Sequence, residues 1–154
     1  MSLVSQIKDR AAEGTRWLMA SLGLLLLRIG AGGLMAYAHG WGKLSNFGEM
    51  AGKFKDPLGI SNTFSFGLLT FAEFFCAIAV VLGLATRLAA IPLVIAMGVA
   101  AFLVHLPLVA KGEQAFRDIE FPLLYLVMFL TLVFTGGGKF SLDALLFRKK
   151  RKPS

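Results

Sequence analysis

Residues 64–84 read FSFGLLTFAEFFCAIAVVLGL, an apolar run with one charged residue, Glu73, near its middle. A helix needs roughly 20 residues to cross a hydrocarbon core about 30 Å thick, so this run is long enough to span a membrane. A charged side chain near the bilayer centre costs about 2.5–3.5 kcal/mol on insertion scales and usually faces a bundle interior with a polar partner. The stretch therefore predicts a transmembrane helix whose carboxylate points into a polar interior.

Three further apolar runs lie at 18–38, 88–110 and 121–135. The chain is 56% hydrophobic, above the roughly 45–50% of a soluble domain. We predict one domain, 1–154, that is an all-α integral membrane four-helix bundle. The expected spans are about 18–43, 63–84, 88–108 and 119–136. The first run is too long for the h-region of a cleaved signal peptide, and Arg28 interrupts it.

The distribution of charge predicts the orientation of the chain. The net charge is +7, and the basic segment 148–154 supplies much of it directly after the last span. Positive residues beside a membrane mark the cytoplasmic side, so both termini are expected inside, and the charge does not indicate nucleic-acid binding. Short amphipathic helices are expected at the interface near 2–12, 47–54 and 142–147.

Helical spacing groups the polar residues of each span with their neighbours, because positions i, i+4, i+7 and i+11 share a face. The predicted faces are Arg28, Gly32, Met35 and His39; Phe66, Thr70, Glu73, Ala77 and Val80; Val94, Gly98, Ala101 and His105; and Glu120, Leu124, Val127, Thr131 and Thr135. At about 1.5 Å per residue, Arg28 and Glu73 are both expected near mid-bilayer, where they would form an ion pair. His39, His105 and Glu120, with Lys43, are expected to form an outer polar pocket that Glu73 also lines.

These residues admit more than one interpretation. A buried pair of opposite charges can serve only to fix helix packing. Two histidines and a carboxylate could hold a metal, but they lack a local spacing such as H-x-x-x-H, so we predict no metal site. A haem held by His39 and His105 is less favoured still. Cys76 is the only cysteine, and a self-contained thiol–disulfide relay needs two, so we expect a core residue there.

Several short segments resemble the DoxX family of small bacterial membrane proteins. They are Leu27-Arg28-Ile29-Gly30, His39-Gly40-Trp41-Gly42-Lys43-Leu44, Glu73 with Leu82-Gly83-Leu84-Ala85-Thr86-Arg87, and Gly136-Gly137-Gly138-Lys139-Phe140-Ser141-Leu142-Asp143. The resemblance covers roughly residues 24–145. It implies a four-helix membrane bundle, and it implies a link to sulfur oxidation as a subunit of a thiosulfate:quinone oxidoreductase, or to redox and stress-response assemblies of the membrane.

Three functions compete on this basis. The preferred one is a small subunit or accessory of a redox system in the bacterial inner membrane, with or without catalysis of its own. Its outer pocket would bind a quinone or a small oxyanion: Arg28 and Lys43 would supply positive charge, His39 or His105 would relay a proton, and Glu73 and Glu120 would hold the pocket together. The alternatives are a small-solute or proton transporter or channel, for which oligomerisation could supply the pathway, and a purely structural assembly partner.

Overall fold

The computed structural model describes residues 3–112 and 114–146, and this part of the chain forms helices and loops without a strand. The helices are labelled α1 (Leu3–Leu27, continuing through Arg28–Gly32, Met35–Gly40 and Trp41–Ser45), α2 (Phe47–Met50), α3 (Asn62–Thr70, Phe71–Cys76 and Ala77–Leu82), α4 (Thr86–Gly98, Val99–His105 and Leu106–Ala110), α5 (Arg117–Thr135) and α6 (Leu142–Leu146). Four of them, α1, α3, α4 and α5, are long and apolar enough to cross a membrane. The predicted all-α fold with four spans is confirmed.

The two ends of the bundle differ in how they are built. At one end, here called the turn end, the left-handed residues Gly83 and Ala85 join α3 to α4, and residues 136–146 follow α5. At the other, the loop end, residues 46–61 join α1 to α3 and residues 111–116 join α4 to α5. The predicted basic segment 148–154 lies outside the described residues.

Helix α1 is much longer than the span predicted at 18–43. Gly138 of the turn end lies against Ser21 and Leu24, so the bundle meets α1 at that level. The helix before Ser21 projects beyond the turn end, and Trp17 there is exposed. Arg28 therefore lies at the turn end and not at the middle of the bundle. The predicted pairing of Arg28 with Glu73 assumed that both lie near mid-bilayer, and for Arg28 that assumption is wrong.

Close packing of α1 on α3 uses small residues at a spacing of four. Gly32, Ala36 and Gly40 are buried, and a Cβ at Gly40 would lie 2.6 Å from the carbonyl oxygen of Glu73. A Cβ at Gly32 would likewise lie 3.0 Å from the carbonyl oxygen of Ala77. Small residues at this spacing let two membrane helices approach through their backbones.

Widened helical turns explain this spacing and correct the predicted face of α1. Arg28–Gly32 and Met35–Gly40 are π-helical, with i→i+5 hydrogen bonds that put more residues in each turn. The buried face therefore passes through Gly40, where an ideal α-helix would place His39. His39 is exposed instead, so its predicted position on the buried face is wrong.

The faces of the other spans agree in part with prediction. On α3 the predicted face is buried at every position: Phe66, Thr70, Glu73, Ala77 and Val80. On α4, Ala101 is fully buried and His105 is half-buried. On α5 the prediction is wrong, because Glu120, Leu124, Val127, Thr131 and Thr135 are all exposed. The side that enters the core carries Ile119, Phe129 and Leu132.

Candidate functional site

The charged pair of the bundle joins α1 to α3. The Nζ of Lys43 donates a hydrogen bond to Oε2 of Glu73, and the two side chains form an ion pair. The side chain of Glu73 is only 5% exposed, whereas that of Lys43 is 20% exposed. Lys43 lies nearer the loop end than the Gly40–Glu73 contact, so its side chain reaches back into the bundle to meet the carboxylate.

The pair predicted between Arg28 and Glu73 is not formed. Arg28 precedes Gly40 by three turns of α1, and Gly40 marks the level of Glu73. Their charges therefore occupy different layers, and Lys43, which the sequence placed beside the outer cluster, supplies the counter-charge. The prediction failed because it took the centre of each apolar run as the centre of the bundle.

Aromatic rings cover an exposed side of α1 and α3 at the level of the Lys43–Glu73 pair. Trp41 lies 5.9 Å from Phe74 between ring centroids, Phe74 lies 5.2 Å from Phe75, and Phe75 lies 6.0 Å from Phe71. Trp41 is 55% exposed, and Phe71 and Phe75 are exposed to a similar degree. We call Trp41, Phe71, Phe74 and Phe75 the aromatic face. In a membrane, this surface contacts lipid tails and any apolar molecule that is dissolved among them.

The two histidines have separate partners. His39 packs edge-on against Tyr125 of α5 with 5.9 Å between ring centroids. His105 places Nδ1 2.9 Å from Oε1 of Gln114, in the loop that follows α4. Because an amide oxygen only accepts, Nδ1 carries the proton in this contact. Within 3–112 and 114–146, no three histidine, cysteine, aspartate or glutamate side chains come together as a metal site.

The second polar cluster lies at the turn end around Arg28. Its side chain is 1% exposed, and Nη2 donates a 2.6 Å hydrogen bond to the carbonyl oxygen of Phe140. Across the described residues, Nε and Nη1 of this guanidinium find no hydrogen-bond partner. Gly83 and Gly137 lie against Nη1, where a Cβ would come within 1.9 Å and 2.9 Å of it.

Asp143 fastens the segment after α5 to the turn between α3 and α4. Its carboxylate accepts hydrogen bonds from the backbone N–H groups of Ala85 and Thr86 and from the Thr86 hydroxyl, at 2.6–2.8 Å. Its own N–H donates to the carbonyl oxygen of Gly83 at 2.9 Å. Partial burial acts to raise the pKa of Asp143, but these hydrogen bonds and the charge of Arg28 outweigh it and hold the pKa below its usual value.

Sequence reasoning placed Arg28, Lys43 and Glu73 in the polar interior but did not pair Lys43 with Glu73. It also missed the residues that surround Arg28 and those that contact the two histidines. Asp143 and Thr86 belong to the segments that resemble the family, and each supplies a polar group at a helix start. That pattern could have indicated a contact between the two segments. Tyr125 and Gln114 gave no comparable signal, because one lies in an apolar helix and the other in a polar loop.

The DoxX family model matches residues 23–106, which is more than half of the 154-residue chain. The chain belongs to the DoxX family. No match was found among curated proteins or among solved structures. The matched range contains Arg28, Lys43 and Glu73 and ends within α4. This DoxX protein is accordingly a multi-pass membrane protein whose spans lie in a lipid bilayer.

Proposed function

We propose that this DoxX protein is a small subunit or accessory of a redox system in the bacterial inner membrane, and that the Lys43–Glu73 pair binds the head group of a quinone. The observation that carries the proposal is the pair itself: an ion pair set into the bundle at the same level as exposed aromatic rings. Ionisable residues inside a membrane usually mark a site of function, since their cost must be offset.

The chemistry of the residues fits a quinone. A quinone carries two carbonyl oxygens on a flat ring, and the three N–H donors of Lys43 suit one such oxygen. Trp41 and Phe74 provide apolar rings at the same level of the bundle. A mostly apolar lining with a few polar groups is the usual composition of a small-molecule site. His39 and Tyr125, at the α1–α5 contact, are our candidates for passing a proton onward.

A transport function has less support. The Arg28 cluster and the Lys43–Glu73 pair are separated by a layer of fully or almost fully buried apolar side chains. This layer contains Met35, Val80, Leu93, Phe129 and Leu132. A continuous polar path would have to pass through them, so the proposal favours ligand binding from one side. The same separation, about 22 Å along α1 from Arg28 to Lys43, argues against one oxyanion being held by both.

Purification in mild detergent, followed by mass spectrometry of retained lipids, tests the proposal. We expect quinone in the wild-type protein and a strong loss in Lys43→Met and in Glu73→Gln. Lys111→Met is the matched control, because Lys111 is an exposed lysine in the other connection of the loop end. Quinone retained equally by all variants, or by none including the wild type, would favour the purely structural role for the pair.

A further inference from the structure

We infer that residues 46–61 form a lid that opens and closes the loop end above the Lys43–Glu73 pair. The inference rests on the proposed function in one respect: it assigns the lid to the site where the ligand is held. The lid comprises α2, a turn at Ala51–Lys53 and the loop that leads into α3. Ala51 at its centre is buried, so the segment lies on the bundle.

Three phenylalanine rings form the seal between the lid and α3. Phe47 and Phe54 of the lid each lie 5.3 Å from Phe66, measured between ring centroids. Phe66 is 1% exposed and shares a face with Thr70 and Glu73. It precedes Glu73 by two turns, which is about 10 Å toward the loop end. The three rings therefore lie between the loop end and the carboxylate along this face of α3.

Asp56 is the latch of the lid. Its carboxylate accepts hydrogen bonds from the N–H of Leu58 and of Ser61, at 2.9 Å and 2.7 Å, and from the hydroxyl of Ser65 at 2.6 Å. Ser65 is buried on α3, directly before Phe66, so this last bond joins the lid to the helix that carries the seal. The hydrogen bond from Ser65 lowers the pKa of Asp56, so the carboxylate stays charged near neutral pH.

Both ends of the lid can turn without breaking a long helix. At Asn46 the chain leaves the helical conformation between α1 and α2, with φ −111° and ψ 26°. At Gly59 the backbone has φ +71°, a conformation that glycine adopts at little cost, and nothing lies within 4 Å of the position a Cβ would take. Hinges of this kind absorb the backbone rotation when a lid moves.

Cysteine accessibility at Thr70 measures the opening directly. In a Cys76→Ala background, Thr70→Cys places a thiol between Phe66 and Glu73, on a buried position of α3. Detergent-solubilised protein is treated with a water-soluble methanethiosulfonate reagent, and the modification rate is followed by mass spectrometry. A hydrogen bond to a charged group is worth about 1.5–3 kcal/mol, so Asp56→Asn should raise the rate about tenfold. Ser65→Ala, which removes one of the three bonds, is the second variant should Asp56→Asn fold poorly.

Two controls distinguish the opening of the lid from a general loss of packing in the bundle. Asp118→Asn breaks a similar loop bond, from Ala115 N–H at 3.1 Å, in the other connection of the loop end, and should leave the Thr70 rate unchanged. A cysteine at Ala101, fully buried on α4, should not respond to Asp56→Asn. An unchanged rate in both latch variants, or an equal rise at Ala101, would overturn the lid. Because the measurement needs no ligand, that result would leave the proposed quinone site standing.

Discussion

Lys43 and Glu73 are joined across α1 and α3 by an ion pair in which the carboxylate is almost wholly enclosed and the ammonium is partly exposed. The unequal burial of the two partners matters for stability. An enclosed charge that loses its partner has no route to solvent, whereas a lysine can extend its chain toward water at the end of a helix. The two members of the pair should therefore not respond equally to substitution.

Lys43→Met should destabilise the protein more than Glu73→Met. Removing one partner of a buried pair typically costs about 3–5 kcal/mol, and we expect about 3 kcal/mol for Lys43→Met because the pair is partly exposed. The double variant should recover part of the loss. Thermal unfolding in detergent measures the effect; equal melting temperatures for the two single variants would contradict this account of the burial.

Gly40→Ala should disrupt the contact between α1 and α3. The new Cβ would lie 2.6 Å from the carbonyl oxygen of Glu73 and 2.9 Å from the Cα of Phe74, and backbone atoms cannot move aside as side chains do. Gly30→Ala on the same helix has nothing within 4 Å and is the matched control. It should be neutral or stabilising, by up to about 1 kcal/mol. The comparison is made by melting temperature and by folding yield.

Gly83→Ala tests whether the turn end is built around Arg28. Gly83 and Gly112 have nearly the same conformation, φ +72° and +75°, so alanine costs about 1–2 kcal/mol of backbone strain at either position. Only at Gly83 would the Cβ also meet the guanidinium, 1.9 Å from Nη1. We expect Gly83→Ala to lose clearly more stability than Gly112→Ala. Similar losses of stability in the two variants would mean that the side chain of Arg28 moves aside freely and that the turn end is not built around it.

Asp143 should make the turn end sensitive to acid. Its pKa is lower in the folded protein than the unfolded value of about 3.9, so the charged carboxylate stabilises the fold above that pH. The contribution is lost as the pH falls through the folded pKa. Asp143→Asn should therefore be less stable than the wild type at pH 7, and the difference should shrink below about pH 4. Hydrogen exchange of residues 136–146 localises the effect; a difference independent of pH would contradict it.

We also propose that both termini face the cytoplasm. Reporter fusions at Ser154 check this, because alkaline phosphatase is active only outside and green fluorescent protein fluoresces only inside. Fluorescence without phosphatase activity is expected from the basic segment 148–154. The opposite pattern would place both termini outside and contradict the proposed orientation.

The apolar runs predicted the four spans well, because length and hydrophobicity alone decide whether a helix can cross a membrane. The face of α3 was also predictable, since the residues from Phe66 to Val80 keep helical spacing through the π-helical segment Phe71–Cys76. On α1 the π-helical turns moved the buried face from His39 to Gly40. Widened turns depend on the neighbouring helix, so periodicity within one span does not show them.

Depth was the second property that the sequence could not supply. Nothing in the apolar run 18–38 shows that α1 projects beyond the turn end, and so Arg28 was placed at the level of Glu73. The partner of Arg28 is the carbonyl oxygen of Phe140, from a segment more than a hundred residues later. Backbone partners of this kind leave no pattern of residue types, whereas the Lys43–Glu73 pair at least joins opposite charges.

Tryptophan fluorescence tests the central claim most directly, because the chain has two tryptophans, Trp17 and Trp41, and the second lies in the aromatic face. In a Trp17→Phe background, a short-chain quinone added to the detergent-solubilised protein should quench Trp41 with a saturable curve. Lys43→Met should weaken the apparent affinity about tenfold or more, as expected when one good polar contact is removed. In a Trp41→Phe background, quenching of Trp17 should not saturate. Identical, non-saturable curves for both tryptophans, unaffected by Lys43→Met, would contradict a quinone site at the Lys43–Glu73 pair.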